Sequence, residues 1–276
     1  MTYRVAQISD THLGRDKPFF VGNFRLVAEA ISVVPPDLVL NTGDMSLDGA
    51  RADGDLAEAR RLHDAMPAPV RFIPGNHDLG ESHDVPCSPE APISEASRER
   101  YLRRFGDDHW MMDVPGWRFL AINTQLLGSA LAAADAQLDF VARAAAGGGD
   151  RRLALFVHKP LFDRAPDETA VTGRFVNPEA RRRLLAAFGS RPPTVVASGH
   201  VHQYRTTEAA GMRLVWCPST GFIIPDARQP RYGEKEVGFV LHCFHPDGRH
   251  EARFIRPPGL ERLDICDFPE AYGKLP

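Results

Sequence analysis

Five short runs of β-branched and aliphatic residues recur along the chain. They lie at residues 5–8, 38–40, 70–73, 153–157 and 194–197. Continuous apolar runs of this length are typical of strands that are buried on both faces of a parallel sheet. The pattern therefore predicts five such strands and an α/β fold.

Helical patterns lie between these runs, at residues 24–33, 56–66 and 132–146. Each is followed by residues that end helices: Pro35 and Pro36 after the first, Pro67 after the second, and three glycines after the third. Strand, loop, helix and strand therefore alternate, which is the order expected for a sheet covered by helices.

Beyond residue 202 the pattern changes to strands separated by turns that contain glycine. The predicted strands are 205–207, 213–217, 237–244 and 251–255. We expect residues 203–256 to supply a second mixed sheet packed on the first, which makes a four-layer αββα sandwich of two mixed β-sheets flanked by helices. Residues 257–276 are rich in proline and have no clear period. They predict an irregular tail. The alternative is that the tail contributes to a subunit contact in a homo-oligomer.

Polar residues directly follow each of the five predicted strands. They are Asp10 and His12, Asp44, Asn76 and His77, His158, and His200 and His202. Open α/β sheets bind ligands at the carboxyl ends of their strands. We therefore expect these side chains to meet at one edge.

Imidazole and carboxylate ligands together favour a borderline transition metal such as zinc, manganese or iron over calcium or magnesium, which prefer oxygen. The candidate ligands exceed what one ion requires. We therefore expect two ions that share one bridging carboxylate, roughly 3.5–4 Å apart, the arrangement typical of phosphoester hydrolysis.

Simpler explanations exist for single residues. Asp10 alone is compatible with a turn cap, Asn76 with a turn residue of positive φ, and His158 with a hydrogen-bonded histidine of the core. All five groups would have to be coincidences for the metal centre to be absent, so the metal centre is the favoured hypothesis.

The five groups, in this order, resemble the calcineurin-like metallophosphoesterase superfamily. Its pattern is Asp-x-His, Gly-Asp, Gly-Asn-His-Asp/Glu, His and Gly-His-x-His, and the match runs from residue 10 to residue 202. Within the superfamily, the length and the Gly-Asn-His-Asp group are most similar to the bacterial class III cyclic-nucleotide and glycerophosphodiester phosphodiesterases. The resemblance implies phosphoester hydrolysis with two ions of manganese, iron or zinc.

The resemblance also implies a role for each matching position. One ion would be bound by Asp10, His12, Asp44 and His202, and the other by Asp44, Asn76, His158 and His200. Asp44 would be the bridging ligand. A hydroxide held between the ions would be the nucleophile, and His77 would act as the general acid that protonates the leaving group.

One position departs from the family pattern. Many relatives have an aspartate three residues after the bridging one, which orients the donor histidine, and here that position is Leu47. Asp48 and Asp78 are the alternative partners for His77.

Other polar residues near the motifs have open roles. His63 lies in a helical pattern and is a surface or packing residue. His83, in the irregular stretch 80–92, is a candidate substrate contact at the rim of the site. Lys159 is a candidate phosphate contact, with a solvated side chain as the alternative.

Selectivity is expected in the loops 79–94, 161–174 and 220–232. Their aromatic residues Phe162, Phe175 and Phe222 are able either to stack on a base or to pack in the core. Residues 43–49 lack the Gly-Asp-x-x-Asp-Arg-Gly group of the protein phosphatases, which favours a phosphodiester substrate. A phosphomonoesterase is the alternative, and a non-catalytic scaffold fits poorly because every ligand position is filled.

Composition and charge limit the partners. The chain has 276 residues, 43% of them hydrophobic, which is enough to bury a core in one domain spanning 1–276. Its formal net charge of −3 provides no broad positive field for a polyanion. A small phosphate ester is therefore expected as substrate, and no long nucleic acid.

The expected location is the cytoplasm. The amino terminus runs into the first strand without the features of a signal peptide, and no segment is long enough to span a membrane. Cys87, Cys217, Cys243 and Cys266 form no CxxC pair, which is typical of reduced thiols.

Overall fold

The computed structural model describes residues 1–86 and 91–272 of the chain. Within these ranges the strands are β1 (Tyr3–Ile8), β2 (Leu38–Asn41), β3 (Val70–Phe72), β4 (Trp110–Val114), β5 (Trp117–Ala121), β6 (Arg152–Phe156), β7 (Val195–Ser198), β8 (Arg205–Ala209), β9 (Met212–Trp216), β10 (Phe239–Phe244) and β11 (His250–Ile255). The helices are α1 (Val21–Val33), α2 (Asp53–His63), α3 (Asn76–Leu79), α4 (Glu95–Phe105), α5 (Ala133–Ala146), α6 (Pro178–Ala187) and α7 (Pro269–Tyr272).

These strands form two mixed sheets. The first has five strands in the order β11-β10-β1-β2-β3, and the second has six in the order β4-β5-β6-β7-β9-β8. Strands β1, β2 and β3 pair in parallel, as do β5, β6, β7 and β9. The remaining strands pair antiparallel with their neighbours.

Three apolar layers hold the sheets and helices together. Phe24 of α1 and Tyr101 of α4 pack on the outer face of the first sheet. Val141 of α5 and Leu184 of α6 pack on the outer face of the second. Between the sheets lies a layer that includes Phe119, Phe156 and Phe244. The architecture is therefore the four-layer αββα sandwich expected from the sequence.

Alternation of side chains explains why the motif strands are mostly apolar. Leu38 and Leu40 of β2 face the layer between the sheets, whereas Val39 faces the helices. Successive residues of a strand point to opposite faces, so a strand covered on both sides is apolar at most positions, with exceptions such as the buried Gln7 of β1 and the exposed Arg71 of β3.

Two expectations about the sheets are wrong. The five motif strands do not belong to one sheet, because β1, β2 and β3 lie in the first and β6 and β7 in the second. Residues 203–256 do not form a sheet of their own, because β8 and β9 complete the second sheet and β10 and β11 extend the first. Apolar patterning indicates that a strand exists but does not determine its pairing partner, which depends on contacts between distant residues.

The tail is only partly irregular. Its described part contains a 3₁₀ turn (Ile265–Asp267) and α7, and it packs against Phe20 and Phe222.

The structure also bears on the predictions about membrane segments and cysteines. Among residues 1–86 and 91–272, no helix has both the length and the apolar character needed to cross a bilayer. Cys217, Cys243 and Cys266 are free thiols, and Cys87 lies outside the described residues.

His63 at the end of α2 is a packing residue, with a relative exposure of only 1%. Its Nδ1 lies 2.7 Å from the Ala59 carbonyl oxygen, and its Nε2 lies 2.9 Å from Nδ2 of Asn41. A neutral ring satisfies both contacts, because Nδ1–H donates to Ala59 and Nε2 accepts from Asn41. Burial lowers the pKa of His63 to about 4.

We predict that His63 makes folding sensitive to mild acid. Its folded pKa lies below the unfolded value of about 6.5, so the unfolded chain takes up the proton first as the pH falls. Its contribution is therefore complete above pH 6.5 and declines towards pH 4. His63→Gln should lose about 2 kcal/mol less of its unfolding free energy than the wild type between pH 7 and pH 5.

Urea unfolding in the presence of a chelator measures this difference. Between pH 7 and pH 8 the two proteins should differ by a constant amount, which serves as the control. Equal losses between pH 7 and pH 5 would show that His63 does not titrate as described.

Candidate metal centre

All seven candidate ligands lie where strands of the two sheets end. Asp10 and His12 follow β1, Asp44 follows β2, Asn76 begins α3 after β3, His158 follows β6, and His200 and His202 follow β7. Atoms of six of these ligands, and of His77, form groups in which all ligand atoms lie within 4.8 Å of one another: Asp10, His12 and His202; Asp44, His158 and His200; and His12, Asp44 and His77. The loops of both sheets therefore converge on one site.

Left-handed backbone conformation is concentrated at these positions. The φ angles are 52° at Asp10, 46° at His12, 52° at Asp44, 68° at His200 and 54° at His202. This region costs a residue with a side chain roughly 1–2 kcal/mol, and such residues cluster at functional sites. The strain supports a functional role for these loops.

Asn76 differs from the other ligands in its backbone. It begins α3 and is not among the residues of positive φ in the described part of the chain. The interpretation of Asn76 as a turn residue with positive φ is therefore wrong. Its side-chain oxygen instead lies 3.2 Å from Nε2 of His158.

Glycines allow the loops to approach this closely. A Cβ atom on Gly75 would lie 2.1 Å from Oδ1 of Asp44, and one on Gly199 would lie 1.9 Å from Oγ of Ser9. Gly43, at φ 106°, has Nδ1 of His158 where its Cβ would be, at 2.4 Å. The glycines of the motifs are thus required by the packing of the ligands themselves.

The first ligand group joins the ends of β1 and β7. Nε2 of His202 lies 3.3 Å from Oδ1 of Asp10 and 3.3 Å from Nε2 of His12. Oδ1 of Asp10 is buried and accepts no hydrogen bond, while Oδ2 accepts one from the His200 backbone N–H at 2.9 Å. A buried carboxylate oxygen that accepts no hydrogen bond and lies beside imidazole nitrogens fits a bound cation.

The second ligand group joins β2 and β6 with β7. Nε2 of His158 lies 3.3 Å from Oδ2 of Asp44 and 3.1 Å from Nδ1 of His200. Oδ2 of Asp44 also lies 4.0 Å from Nε2 of His12, so it faces both groups. Its other oxygen accepts a hydrogen bond from the His77 backbone N–H at 2.8 Å. This position is the one that a bridging carboxylate requires.

Each candidate histidine ligand uses one ring nitrogen outside the site and turns the other inwards. The outer contacts are Nδ1 of His158 to Thr42 O at 2.8 Å, Nδ1 of His202 to Phe222 O at 3.0 Å, Nε2 of His200 to Gly173 O at 2.9 Å, and Nδ1 of His12 to Oη of Tyr272 at 2.5 Å. Such outer bonds fix the tautomer and orientation of a metal-binding imidazole. The donor set fits a borderline transition metal.

Electrostatics within the site favour ionised carboxylates. Burial opposes the charge on Asp10, but His202 outweighs it and holds the pKa of that carboxyl well below its usual range. Burial likewise opposes the charge on Asp44, and His158 lowers the pKa of that carboxyl. The same ion pair raises the pKa of His158 to about 9 against the effect of burial. Both carboxylates are thus in the form that binds a cation.

The imidazole rings of two other candidate ligands, His12 and His200, are neutral. Burial lowers the pKa of His12, and the neighbouring His77 lowers it further. Burial, followed by the charge on His158, also lowers the pKa of His200. A neutral imidazole offers the lone pair that a metal ion needs.

The ring of His77 contacts a group that the sequence did not suggest. Its Nδ1 lies 3.0 Å from the backbone carbonyl oxygen of Leu47. The carbonyl of residue 47 therefore takes the place of the aspartate side chain that is common among relatives. A carbonyl oxygen only accepts, so Nδ1 of His77 carries the proton in this contact.

Asp78 connects two of the ligand loops. Its carboxylate accepts hydrogen bonds from the backbone N–H of Gly75 at 2.9 Å, and from the backbone N–H and hydroxyl of Ser46 at 2.9 Å and 2.6 Å. Burial, with the nearby charge of Asp44, raises the pKa of Asp78 to about 6. Asp78 thus holds the Asp44 loop against α3 rather than orienting His77.

Two other candidate contacts lie away from the site. Nζ of Lys159 forms a buried ion pair with Oε1 of Glu81 at 2.7 Å, so the lysine is neither solvated nor directed at a phosphate. Nδ1 of His83 accepts a hydrogen bond from the Ala130 backbone N–H at 3.3 Å. His83 is not among the described residues that line the cavity beside the ligands.

A cavity of about 860 Å³ lies beside the ligands. Its apolar lining residues include Leu47, Phe222, Ile224, Ile265, Ala271 and Tyr272. Its charged lining residues away from the ligands are Asp16, Lys17, Asp48, Arg51, Asp55 and Arg228. Of the three loop aromatics considered on the sequence, Phe162 and Phe175 pack in the core and Phe222 lines the cavity. Tyr272 and Ile265 come from the tail, where the sequence carried no signal of a functional role.

The chain belongs to the calcineurin-like phosphoesterase family, whose family model matches residues 3–204. It is a metallophosphoesterase enzyme, and the clustered histidines and aspartates are consistent with the metal ions that this family implies. The family match confirms the resemblance to calcineurin-like metallophosphoesterases that the five motifs indicated.

Two relatives align along most of the chain. The 3',5'-cyclic adenosine monophosphate phosphodiesterase CpdA of Pseudomonas aeruginosa is 28% identical over 278 residues, covering 97% of this chain and 93% of the relative. The glycerophosphodiester phosphodiesterase GpdQ of Enterobacter lignolyticus is 26% identical over 262 residues, covering 86% of each chain.

A third relative and a solved structure complete the comparison. The serine/threonine-protein phosphatase CPPED1 of Danio rerio is 29% identical over 203 residues, covering 69% of this chain and 60% of the relative. The purple acid phosphatase PPD1 from yellow lupin superposes with a TM-score of 0.66 at 14% identity, covering 96% of this chain and 53% of that structure. The structural likeness shows the fold.

We predict that Asp44→Asn lowers metal occupancy at both positions, because one oxygen of Asp44 faces both ligand groups. His12→Ala should empty mainly one position. Elemental analysis of the purified proteins measures metal ions per chain, with Asp113→Asn, a substitution on β4, as the control that keeps the wild-type content. Two tightly bound ions in Asp44→Asn would contradict the bridging assignment.

Proposed function

We propose that this metallophosphoesterase hydrolyses a small phosphodiester, such as a cyclic nucleotide or a glycerophosphodiester. The observation that carries the proposal is the position of Asp44, which faces both ligand groups while its other oxygen holds the His77 backbone beside the cavity. Two ligand groups that share a carboxylate, next to a histidine able to transfer a proton, form the arrangement of a dinuclear phosphoesterase.

The residues would hold two ions of manganese, iron or zinc. We assign one ion to Asp10, His12, Asp44 and His202, and the other to Asp44, Asn76, His158 and His200. Bound there, the ions would neutralise phosphate charge and supply an ionised water as the nucleophile near neutral pH. The backbone contacts of the ligand loops keep these side chains in place before substrate arrives.

His77 is the proposed general acid. Because the Leu47 carbonyl occupies Nδ1, we assign the proton transfer to Nε2. His77 lines the cavity, as does Phe222, so a leaving group bound in the cavity lies within reach of the ring. Protonation matters most for an alkoxide, which is a poor leaving group.

The charges around the cavity support a diester substrate. A monoester carries two negative charges and requires cationic side chains to hold it against the buried carboxylates. Lys159, the lysine nearest the motif histidines in sequence, is instead paired with Glu81. Asp16, Asp48 and Asp55 line the cavity together with Lys17, Arg51 and Arg228, so these charges balance and provide no net positive field for a dianion.

Two relatives whose names describe phosphodiesterases, CpdA and GpdQ, align over 97% and 86% of this chain and support the same proposal. The second candidate function is a phosphomonoesterase, which the likeness to the phosphatase CPPED1 favours. We further propose that the ligand is a small phosphate ester. We also propose that the protein is located in the cytoplasm, which the free thiols of Cys217, Cys243 and Cys266 support.

We predict that His77→Ala keeps its metal ions but loses about a hundredfold or more in turnover on diesters with alkoxide leaving groups. Diesters with nitrophenoxide leaving groups should lose less, because they need no proton from the enzyme. His83→Ala is the matched control and should retain turnover on both. An equal loss on both kinds of diester would contradict the general-acid role.

We also predict a preference for diesters over monoesters. With manganese-loaded protein at one pH, kcat/KM for bis-p-nitrophenyl phosphate should exceed that for p-nitrophenyl phosphate. The metal-free protein is the control and should hydrolyse neither. A clear advantage for the monoester would favour the phosphatase candidate and remove the phosphodiesterase proposal.

A further inference from the structure

His12 differs from the other three histidine ligands in its outer hydrogen bond. Those three contact backbone carbonyls, which are present whatever the side chain of the residue concerned. Nδ1 of His12 instead lies 2.5 Å from the phenol oxygen of Tyr272, a side chain from the tail. Tyr272 lies outside residues 3–204, the region that the family model matches.

We propose that Tyr272 is a positioning residue of the metal centre, which orients His12 through this hydrogen bond. The inference rests on the ligand assignment of the proposed function. A metal-binding Nε2 must present its lone pair, so the ring proton lies on Nδ1. The phenol oxygen of Tyr272 then accepts from Nδ1–H and holds Nε2 towards Asp10 and His202.

The orientation of the His12 ring requires such a partner. Phe222 packs against the ring with centroids 4.8 Å apart, and His77 packs edge-on at 4.8 Å. These contacts keep the ring in place but do not distinguish its two nitrogens. The terminal torsion of histidine is broad and roughly two-fold, so a rotated ring would direct a carbon at the ion. The bond to Tyr272 selects the productive orientation.

The tail is anchored at several points that bring Tyr272 to this position. Ala271 is buried, and its carbonyl oxygen accepts a hydrogen bond from Nζ of Lys17 at 3.2 Å. The ring of Phe268 lies 5.5 Å from that of Phe19 and 5.5 Å from that of Phe20. These contacts hold the tail at both ends of α7, and the contact of Tyr272 with His12 makes the tail part of the site.

Tyr272→Phe is the test, because it removes the oxygen and keeps the aromatic packing. Mn²⁺ is titrated into the metal-free full-length protein, and the two affinities are measured by calorimetry or by competition with a chelator. We expect the affinity of one ion to fall by about tenfold to a hundredfold, the range for loss of an outer partner. The affinity of the other ion should be unchanged.

Matched controls separate the hydrogen bond from packing. Tyr3→Phe removes a phenol at the amino end of β1, opposite the ligand end, and should keep both affinities. The circular dichroism spectrum of metal-free Tyr272→Phe should match that of the wild type, which shows that the fold is intact. In a His12→Gln background, Tyr272→Phe should cause no further weakening of the ion that Asp10, Asp44 and His202 still bind, because its effect passes through His12.

Three results would overturn the proposal. Wild-type affinities in Tyr272→Phe would show that the phenol oxygen has no role, and equal weakening of both ions would show a general effect of tail packing. Continued weakening in the His12→Gln background would show that Tyr272 acts through another residue. A wild-type protein that bound no Mn²⁺ would instead remove the ligand assignment on which both proposals rest.

Discussion

Backbone hydrogen bonds between the ligand loops are the interactions on which the site depends. The backbone N–H of Asp10 donates to Gly43 O at 2.9 Å, and that of His12 donates to Asp44 O at 3.0 Å. The Asp10 carbonyl oxygen accepts from Gly221 N–H at 3.1 Å. These bonds join the ends of β1 and β2 to the loop after β9, and they hold ligand residues in a left-handed conformation that costs about 1–2 kcal/mol for each. Strain of this size persists only where the surrounding structure determines the backbone.

The two oxygens of each buried carboxylate, Asp10 and Asp44, have different roles. One oxygen of Asp10 binds the His200 backbone N–H, and one oxygen of Asp44 binds the His77 backbone N–H. The second oxygen of each faces the histidines of the site. Each carboxylate thus connects two loops and also offers a ligand atom. Buried charges with so few other partners are costly without a cation, so we infer that metal binding and the rigidity of the loops reinforce each other.

The departure at position 47 shows how a family motif is satisfied by other means. The leucine side chain packs in the cluster with Phe20 and Phe222, while its carbonyl oxygen binds His77. A carbonyl fixes the orientation of the ring without adding a negative charge beside it. Asp78, which the sequence left as an alternative partner, instead connects the loops of Asp44 and Gly75. The donor histidine and the ligand loops are therefore held by separate interactions.

The sequence by itself determined the layered α/β fold, because strands covered on both faces are apolar at most positions. It also identified the seven residues that the structure brings together, because strand ends are where such sheets present polar groups. It did not predict α4, in which Ser97, Tyr101 and Phe105 form a narrow buried face at helical spacing and most of the residues between them are charged. Only the tertiary structure decided the pairing of β9 with β7 and of β10 with β1, the burial of Lys159 against Glu81, and the contact of Tyr272 with His12. Each of these joins residues far apart in the chain, and a local pattern of apolar and polar residues holds no information about such partners.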